Sequence, residues 1–367
     1  MTKPFCSAPF IEGFSGLTST FRNCCVADPQ IQSLPNQNFI QWWSDSRLEK
    51  FRQLMYTTEW PKECYRCQVE ENETGRSFRT ALNSSTVSES FGKWPSRWNL
   101  KFGNVCNLAC WTCNEHSSSV IAQNKRVIGI LPENFVDPEE QFQAQWKSLK
   151  NNILTSYEYH KVITLTLLGG EPLYNSTVIS FLQELKDSGL ADRTRLEFHT
   201  NATKVNKILF EKGLWNYVCI FVSLDAVGIK AEWLRYGCKW SVIESNIEFL
   251  QSAANYFEIQ CVLSVLNLND LPELKKFCLE KNTPLNITLV TTPECMSIEK
   301  WSGNPDIIAD QEYLADNGCI GYYELLGSKM IPGTQEELQT YIKQFDKIRR
   351  NLQDFDPKLA HALGLDQ

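Results

Sequence analysis

Between roughly residues 92 and 290 the chain alternates short apolar runs with amphipathic stretches, and no other feature constrains its fold as strongly. The runs are WNLKFG (98–103), VITLTLL (162–168), RLEFHTN (195–201), CIFVSLD (219–225), QCVLSVLN (260–267) and LNITLV (285–290). A run such as VITLTLL, almost wholly β-branched or apolar, is what a strand covered on both faces requires. Strands of that kind separated by helices build a parallel sheet. Helices are predicted over about 115–128, 175–185, 203–213, 240–254 and 270–280, the second with Asn175 or Ser176 as N-cap and Gly189 just past its end. About six βα units are too few for a closed eight-stranded barrel. The predicted fold class is therefore α/β, an open, TIM-like partial (β/α)6 barrel.

The two ends break this rhythm. Residues 1–92 are turn-rich, hold one predicted helix at SRLEKFRQLM (46–55) and carry five cysteines, so a small cysteine-rich module is expected there. The barrel then occupies 93–290, and 291–367 form a C-terminal extension with a helical pattern near 335–352. A chain of 367 residues, 43% hydrophobic and 22% charged, has the composition of a globular protein with a large core. Its net charge of -7 and the absence of a Lys/Arg block argue against a nucleic-acid partner. The start MTKPFCSAPF lacks a signal-peptide h-region, and no apolar run approaches the roughly 20 residues of a membrane helix. A cytoplasmic protein with no membrane partner is expected.

Fourteen cysteines in such a protein call for metal binding or thiol chemistry, because cytoplasmic thiols stay reduced. CNLACWTC sets Cys106, Cys110 and Cys113 in a CX3CX2C spacing directly after the first barrel strand. A closed zinc site wants four ligands, and the four histidines form no ligand cluster. Three thiolates on a 4Fe-4S cubane would leave one iron open to a small-molecule ligand. Upstream, Cys6, one of Cys24 and Cys25, Cys64 and Cys67 make a complete set of four, for a second cluster or for a zinc ribbon. Cys219, Cys238, Cys261, Cys278, Cys295 and Cys319 have no partner at metal spacing and read as small buried hydrophobes. Cys238 or Cys295, near strand ends, could alternatively donate a hydrogen atom to a product radical. His199 reads as a core histidine.

The cysteine motif in this context resembles that of the radical S-adenosylmethionine (SAM) enzymes. The resemblance implies a 4Fe-4S cluster whose open iron holds SAM and cleaves it reductively to a 5'-deoxyadenosyl radical that abstracts a substrate hydrogen. It extends along the chain. GGEP after the second strand is similar to the family's SAM-amino motif, implying Gly169, Gly170 and Glu171. TNA implies Thr200 and Asn201 near the ribose or carboxylate, VSLDA implies Ser223 and Asp225 at the ribose hydroxyls, Arg235 meets the carboxylate, and Asn267 in SVLN lies near adenine. Three positions depart from the pattern: Thr112 stands where a bulky apolar residue is usual, with Trp111 one place earlier, and Ala202 and Ala226 replace turn glycines.

The N-terminal set resembles the auxiliary-cluster module called twitch. The family's hairpin before the second ligand maps onto LTSTFRNC, which favours Cys24 over Cys25. The implied partners are SAM, a peptide or small-molecule substrate, and a reductase, flavodoxin or ferredoxin as electron donor. A non-catalytic iron-sulfur or zinc protein is the alternative, and no catalytic side chain is assigned.

Overall fold

The computed structural model describes residues 4–16, 20–27, 32–34, 37–85, 93–298 and 334–365. Its strands are β1 Glu12–Ser15, β2 Phe21–Arg22, β3 Arg97–Lys101, β4 Ala109–Cys110, β5 Ile163–Leu168, β6 Thr194–Thr200, β7 Tyr217–Ser223, β8 Arg235–Tyr236, β9 Tyr256–Leu263 and β10 Leu285–Leu289. The helices are α1 Ala8–Ile11, α2 Phe39–Trp43, α3 Ser46–Leu54, α4 Tyr65–Thr74, α5 Phe78–Ser85, α6 Ser119–Val127, α7 Pro138–Tyr159, α8 Ser176–Asp187, α9 Gly228–Leu234, α10 Trp240–Ala253, α11 Leu271–Glu280, α12 Thr334–Asp346, α13 Leu352–Phe355 and α14 Pro357–Ala362.

All six expected barrel strands form, as β3, β5, β6, β7, β9 and β10, so the class is α/β with mostly parallel strands. β9 starts and stops about four residues earlier than expected. Asn267 Oδ1 accepts from the Ser264 amide at 2.8 Å, which folds 264–267 into a turn instead of strand. Asn175 caps α8, accepting from the Thr177 amide at 2.9 Å. α6 starts four residues later than expected because Ser118 is its cap. The helix expected over 203–213 is only a 3-10 turn at Lys207–Phe210. Its Asn206 side chain accepts from the Ile208 amide, offering the backbone a local alternative to the α-helix. The helical pattern near 335–352 stops at Asp346. The 22-residue α7 was not anticipated, although Asp137 and Pro138 are ordinary start signals.

The chain forms two compact units: residues 1–104, 136–198 and 211–218 make the first, and 105–135, 199–210 and 219–367 the second. In the first, the strands run in the order β2-β1-β3-β5-β6. β1 and β2 are an antiparallel hairpin, and β1 lies parallel to β3 with Glu12 opposite Arg97 and Ser15 opposite Leu100. β3, β5 and β6 are parallel neighbours. In the second, β7, β9 and β10 are parallel, and β4 and β8 form a separate antiparallel ribbon.

Alternation along the first unit's strands gives one apolar and one polar face. Trp98, Leu100, Leu165, Leu167, Leu196 and Phe198 are fully buried, and the Trp98 indole donates to Ser156 of α7 at 3.0 Å. On the other face Glu197 is clasped by Arg97, by Arg195 at 2.9 Å and by the Thr166 hydroxyl at 3.0 Å. Burial opposes ionisation of Glu197, but these partners hold it below the usual carboxylate range. Beside them Glu12 accepts from Asn99, while its Oε2 has no partner among the described residues. Burial pushes the Glu12 carboxyl up from 4.5 to about 7, against the pull of Arg97 and Asn99 and with the repulsion of Glu197.

A carboxyl raised in the folded state binds its proton more tightly there than in the unfolded chain. Glu12 thus contributes stability that is full below pH 4.5 and is lost as pH rises to about 7. The loss is on the order of 3 kcal/mol, from about 1.4 kcal/mol per unit. Unfolding free energies from urea titrations at pH 5 and pH 8 should differ by about that much less in Glu12→Gln than in the native chain.

Candidate metal centres

The CX3CX2C segment lies in the second unit and is held from both sides. β4 pairs with β8 so that Cys110 faces Arg235 and Ala109 faces Tyr236. The Trp111 amide donates to the Leu234 carbonyl at 3.0 Å, and the Ser118 hydroxyl donates to the Leu108 carbonyl at 2.6 Å. Ser119 bridges back to Cys106, accepting from its amide and donating to its carbonyl, both at 3.2 Å. The three cysteines are half-buried, and all thirteen described cysteines are free thiols.

Several predicted residues converge there. Arg235 Nη1 donates to Cys110 Sγ at 3.8 Å, and Nη2 pairs with Asp225 Oδ2 at 2.9 Å. Asp225 Oδ1 accepts from the Val262 amide at 3.0 Å. Asn267 Nδ2 donates to the Asp225 carbonyl at 2.9 Å, while its Oδ1 is taken by Ser264. Asn267 and Asp225 therefore direct most of their hydrogen bonds inward, and Arg235 links that network to the cysteine ligand. Asn201 Nδ2 donates to Asn107 Oδ1 at 3.1 Å and lies 4.0 Å from Cys106 Sγ. Thr200 Oγ1 accepts from the Ala202 amide at 3.1 Å. Ala202 has φ +57, so the turn keeps the left-handed conformation that glycine would hold without strain. Ser223 ends β7, opposite Gln260.

Burial raises the Cys110 thiol, and burial with the neighbouring Cys110 and Cys106 raises Cys113 to about 12. These groups become thiolates when a cation replaces the proton, so loading releases protons. A set of three thiols with the Arg235 guanidinium beside it suits an anionic cluster bound through three corners.

The predicted GGEP residues lie in the first unit. Gly169 has φ +86, and a Cβ there would stand 2.8 Å from the Gly103 carbonyl oxygen, so only glycine permits this approach of the two loops. Glu171 is buried, with Oε1 accepting from the Leu173 amide at 3.0 Å.

The N-terminal cysteines surround one cavity, also within the first unit. Cys6, Cys24, Cys64 and Cys67 line it with Phe51, Met55 and Arg79. Arg79 Nη1 donates to the Phe5 carbonyl at 2.7 Å, fixing the chain before Cys6, and pairs with Glu71. Cys25 is exposed and does not line the cavity, so the geometry favours Cys24. Burial, with the repulsion of Cys24 and Cys67, raises Cys64 to about 12. Among the described residues no three Cys, His, Asp or Glu side chains close on one point as a single ion requires. Four thiols around an apolar hollow fit a larger inorganic group. Cys24→Ser is expected to lower the iron content of anaerobically loaded protein by about four atoms. Cys25→Ser should leave it unchanged, and the reverse result would exchange the two assignments.

Of the scattered cysteines, Cys238 is buried, with its thiol donating to the Ala231 carbonyl at 3.6 Å, and Cys295 sits in the second unit's apolar core. Cys319 lies outside the described residues. His199 stacks on Phe221 at 4.8 Å.

The described part of the C-terminal extension packs on the cysteine loop within the second unit. Trp111 is buried against Trp233, Tyr341 and Phe345. The Tyr341 hydroxyl donates to the Trp111 carbonyl at 3.3 Å. Sequence reasoning gave no role to Tyr341 or to Arg349, whose guanidinium covers the Trp111 ring at 4.5 Å.

Residues 97–223 match a family model described as a 4Fe-4S single cluster domain. The fold is thus of α/β class, and the segment that carries the cysteine site is similar to a 4Fe-4S domain. The CX3CX2C motif lies within the matched segment. No curated protein matches by sequence. Among solved structures, "Native anSMEcpe with bound AdoMet" is 18% identical with a TM-score of 0.39, covering 67% of this chain and 66% of that one. Streptococcus suis SuiB bound to precursor peptide SuiA is 14% identical with a TM-score of 0.38, covering 82% and 58%. The chain thus spans less than two thirds of either protein. No described helix is long and apolar enough to cross a membrane.

Proposed function

We propose that the chain is a radical SAM enzyme, in which Cys106, Cys110 and Cys113 hold a 4Fe-4S cluster and Cys6, Cys24, Cys64 and Cys67 hold an auxiliary one. The observation that carries this reading is a site of three thiols, bridged to Asp225 by Arg235, inside a matched 4Fe-4S domain. Held by Cys106, Cys110 and Cys113, the cluster would supply the electron for reductive cleavage of SAM, the source of the oxidising power needed to abstract a substrate hydrogen. Arg235 keeps a positive charge beside Cys110, and Asp225 fixes its direction. Asn267 holds the Asp225 backbone, and Asn201 braces the turn beside Cys106. Ser223 and Thr200 serve the ribose end of SAM, and Gly169, Gly170 and Glu171 its amino group. The substrate is a peptide or protein side chain or a small metabolite, and a flavodoxin, ferredoxin or dedicated reductase delivers the electron.

The test is anaerobic reconstitution followed by iron and sulfide analysis and assay of 5'-deoxyadenosine with dithionite and SAM. About eight irons and SAM-dependent 5'-deoxyadenosine are expected. Iron without any SAM cleavage would leave a structural or electron-transfer protein instead.

A further inference from the structure

The guanidinium of Arg349 is buried without the partners such a group normally needs. The residue is 7% exposed, and Nε, Nη1 and Nη2 all lack a hydrogen-bond partner among the described residues. Its central carbon lies 4.4 Å from the Phe345 ring, 4.5 Å from Trp111 and 5.8 Å from Tyr236. Stacking on rings recovers part of the cost of burying a cation. It leaves the N–H groups unanswered, and a buried charge without a counter-charge is costly.

The surroundings show where that counter-charge would come from. Trp111 follows Cys110 in sequence, Tyr236 follows Arg235, and Cys110 and Arg235 are opposite each other in the β4–β8 ribbon. Arg349 therefore lies over the ribbon that carries the middle cysteine of the motif. The Tyr341 hydroxyl is already used on the Trp111 carbonyl. Asp346, one turn earlier, attracts Arg349 electrostatically, but its Oδ1 has no hydrogen-bond partner among the described residues, so the guanidinium N–H groups stay unanswered.

We infer that Arg349 is the counter-charge to the cluster bound through Cys110, and that it sets that cluster's reduction potential. The inference rests on the function proposed above, which puts a cluster on these cysteines. A cubane on three thiolates is net anionic, and the electron it accepts makes it more so. A cation fixed nearby in a medium of low dielectric stabilises the reduced form more than the oxidised form. Arg349 is thus a positioning residue, delivered by the segment that follows α12.

The experiment is a dithionite redox titration of the full-length, anaerobically loaded protein. It follows by electron paramagnetic resonance the cluster whose signal changes when SAM is added. Arg349→Met should lower the reduced-to-oxidised ratio at a given potential about tenfold, a midpoint some 59 mV more negative for one electron. Arg349→Lys, which keeps the charge and loses the planar stacking, should stay near the native value. Loss of iron from the methionine variant alone would also support the inference. An unchanged midpoint in Arg349→Met, equal shifts in both variants, or equal iron loss in both, would overturn it. A SAM-insensitive signal in the native protein would instead overturn the proposed function, and this inference with it.

Discussion

Replacing Cys106, Cys110 and Cys113 together by Ala is expected to bring 5'-deoxyadenosine formation to background and to halve the iron, from about eight atoms to about four per chain. The remaining iron should stay with the N-terminal set, because Cys6, Cys24, Cys64 and Cys67 line their own cavity within the first unit. The fold should survive, since the motif's backbone is held by Ser118, Ser119 and Leu234 and not through the thiols alone. Circular dichroism and iron analysis of the triple variant check both halves. Formation of 5'-deoxyadenosine above background would remove the cysteines from the reaction.

Asp225→Ala is expected to destabilise the fold strongly. Asp225 and Arg235 are 3% and 6% exposed and pair at 2.9 Å. Removing one partner of a buried pair leaves the other charge uncompensated, at a cost of about 3–5 kcal/mol. The Val262 amide also loses its acceptor. A double variant, Asp225→Ala with Arg235→Met, should recover much of the loss, because both charges are then gone. Urea unfolding of the three proteins measures this. A loss below about 1 kcal/mol in the single variant would mean that the pair is well solvated.

The six parallel strands were legible because β-branched runs such as ITLTLL suit a strand buried on both faces, and α8 was legible from its helical spacing and from Asn175 or Ser176 as its cap. The motif cysteines stood out in the sequence by their spacing. Three other features were not. Glu12 is one carboxylate in a turn-rich segment until β1 sets it opposite Arg97. Arg349 is one of two adjacent arginines, and only stacking with Trp111, Phe345 and Tyr236 separates it from the exposed Arg350. Asn267 and Asp225 were found by pattern, but their inward hydrogen bonds depend on a turn at Ser264 that local propensity had read as strand.

The β1–β2 hairpin has one more consequence. Cys6 precedes it, Cys24 follows it, and β1 is hydrogen-bonded along β3. Whatever joins those two thiols clamps the hairpin at both ends, and the hairpin is what covers the β3 margin from Glu12–Arg97 to Ser15–Leu100. An uncovered strand margin is a template for pairing with another molecule. A group bound at the N-terminal set would thus add a tether to the hairpin that shields this margin from self-association.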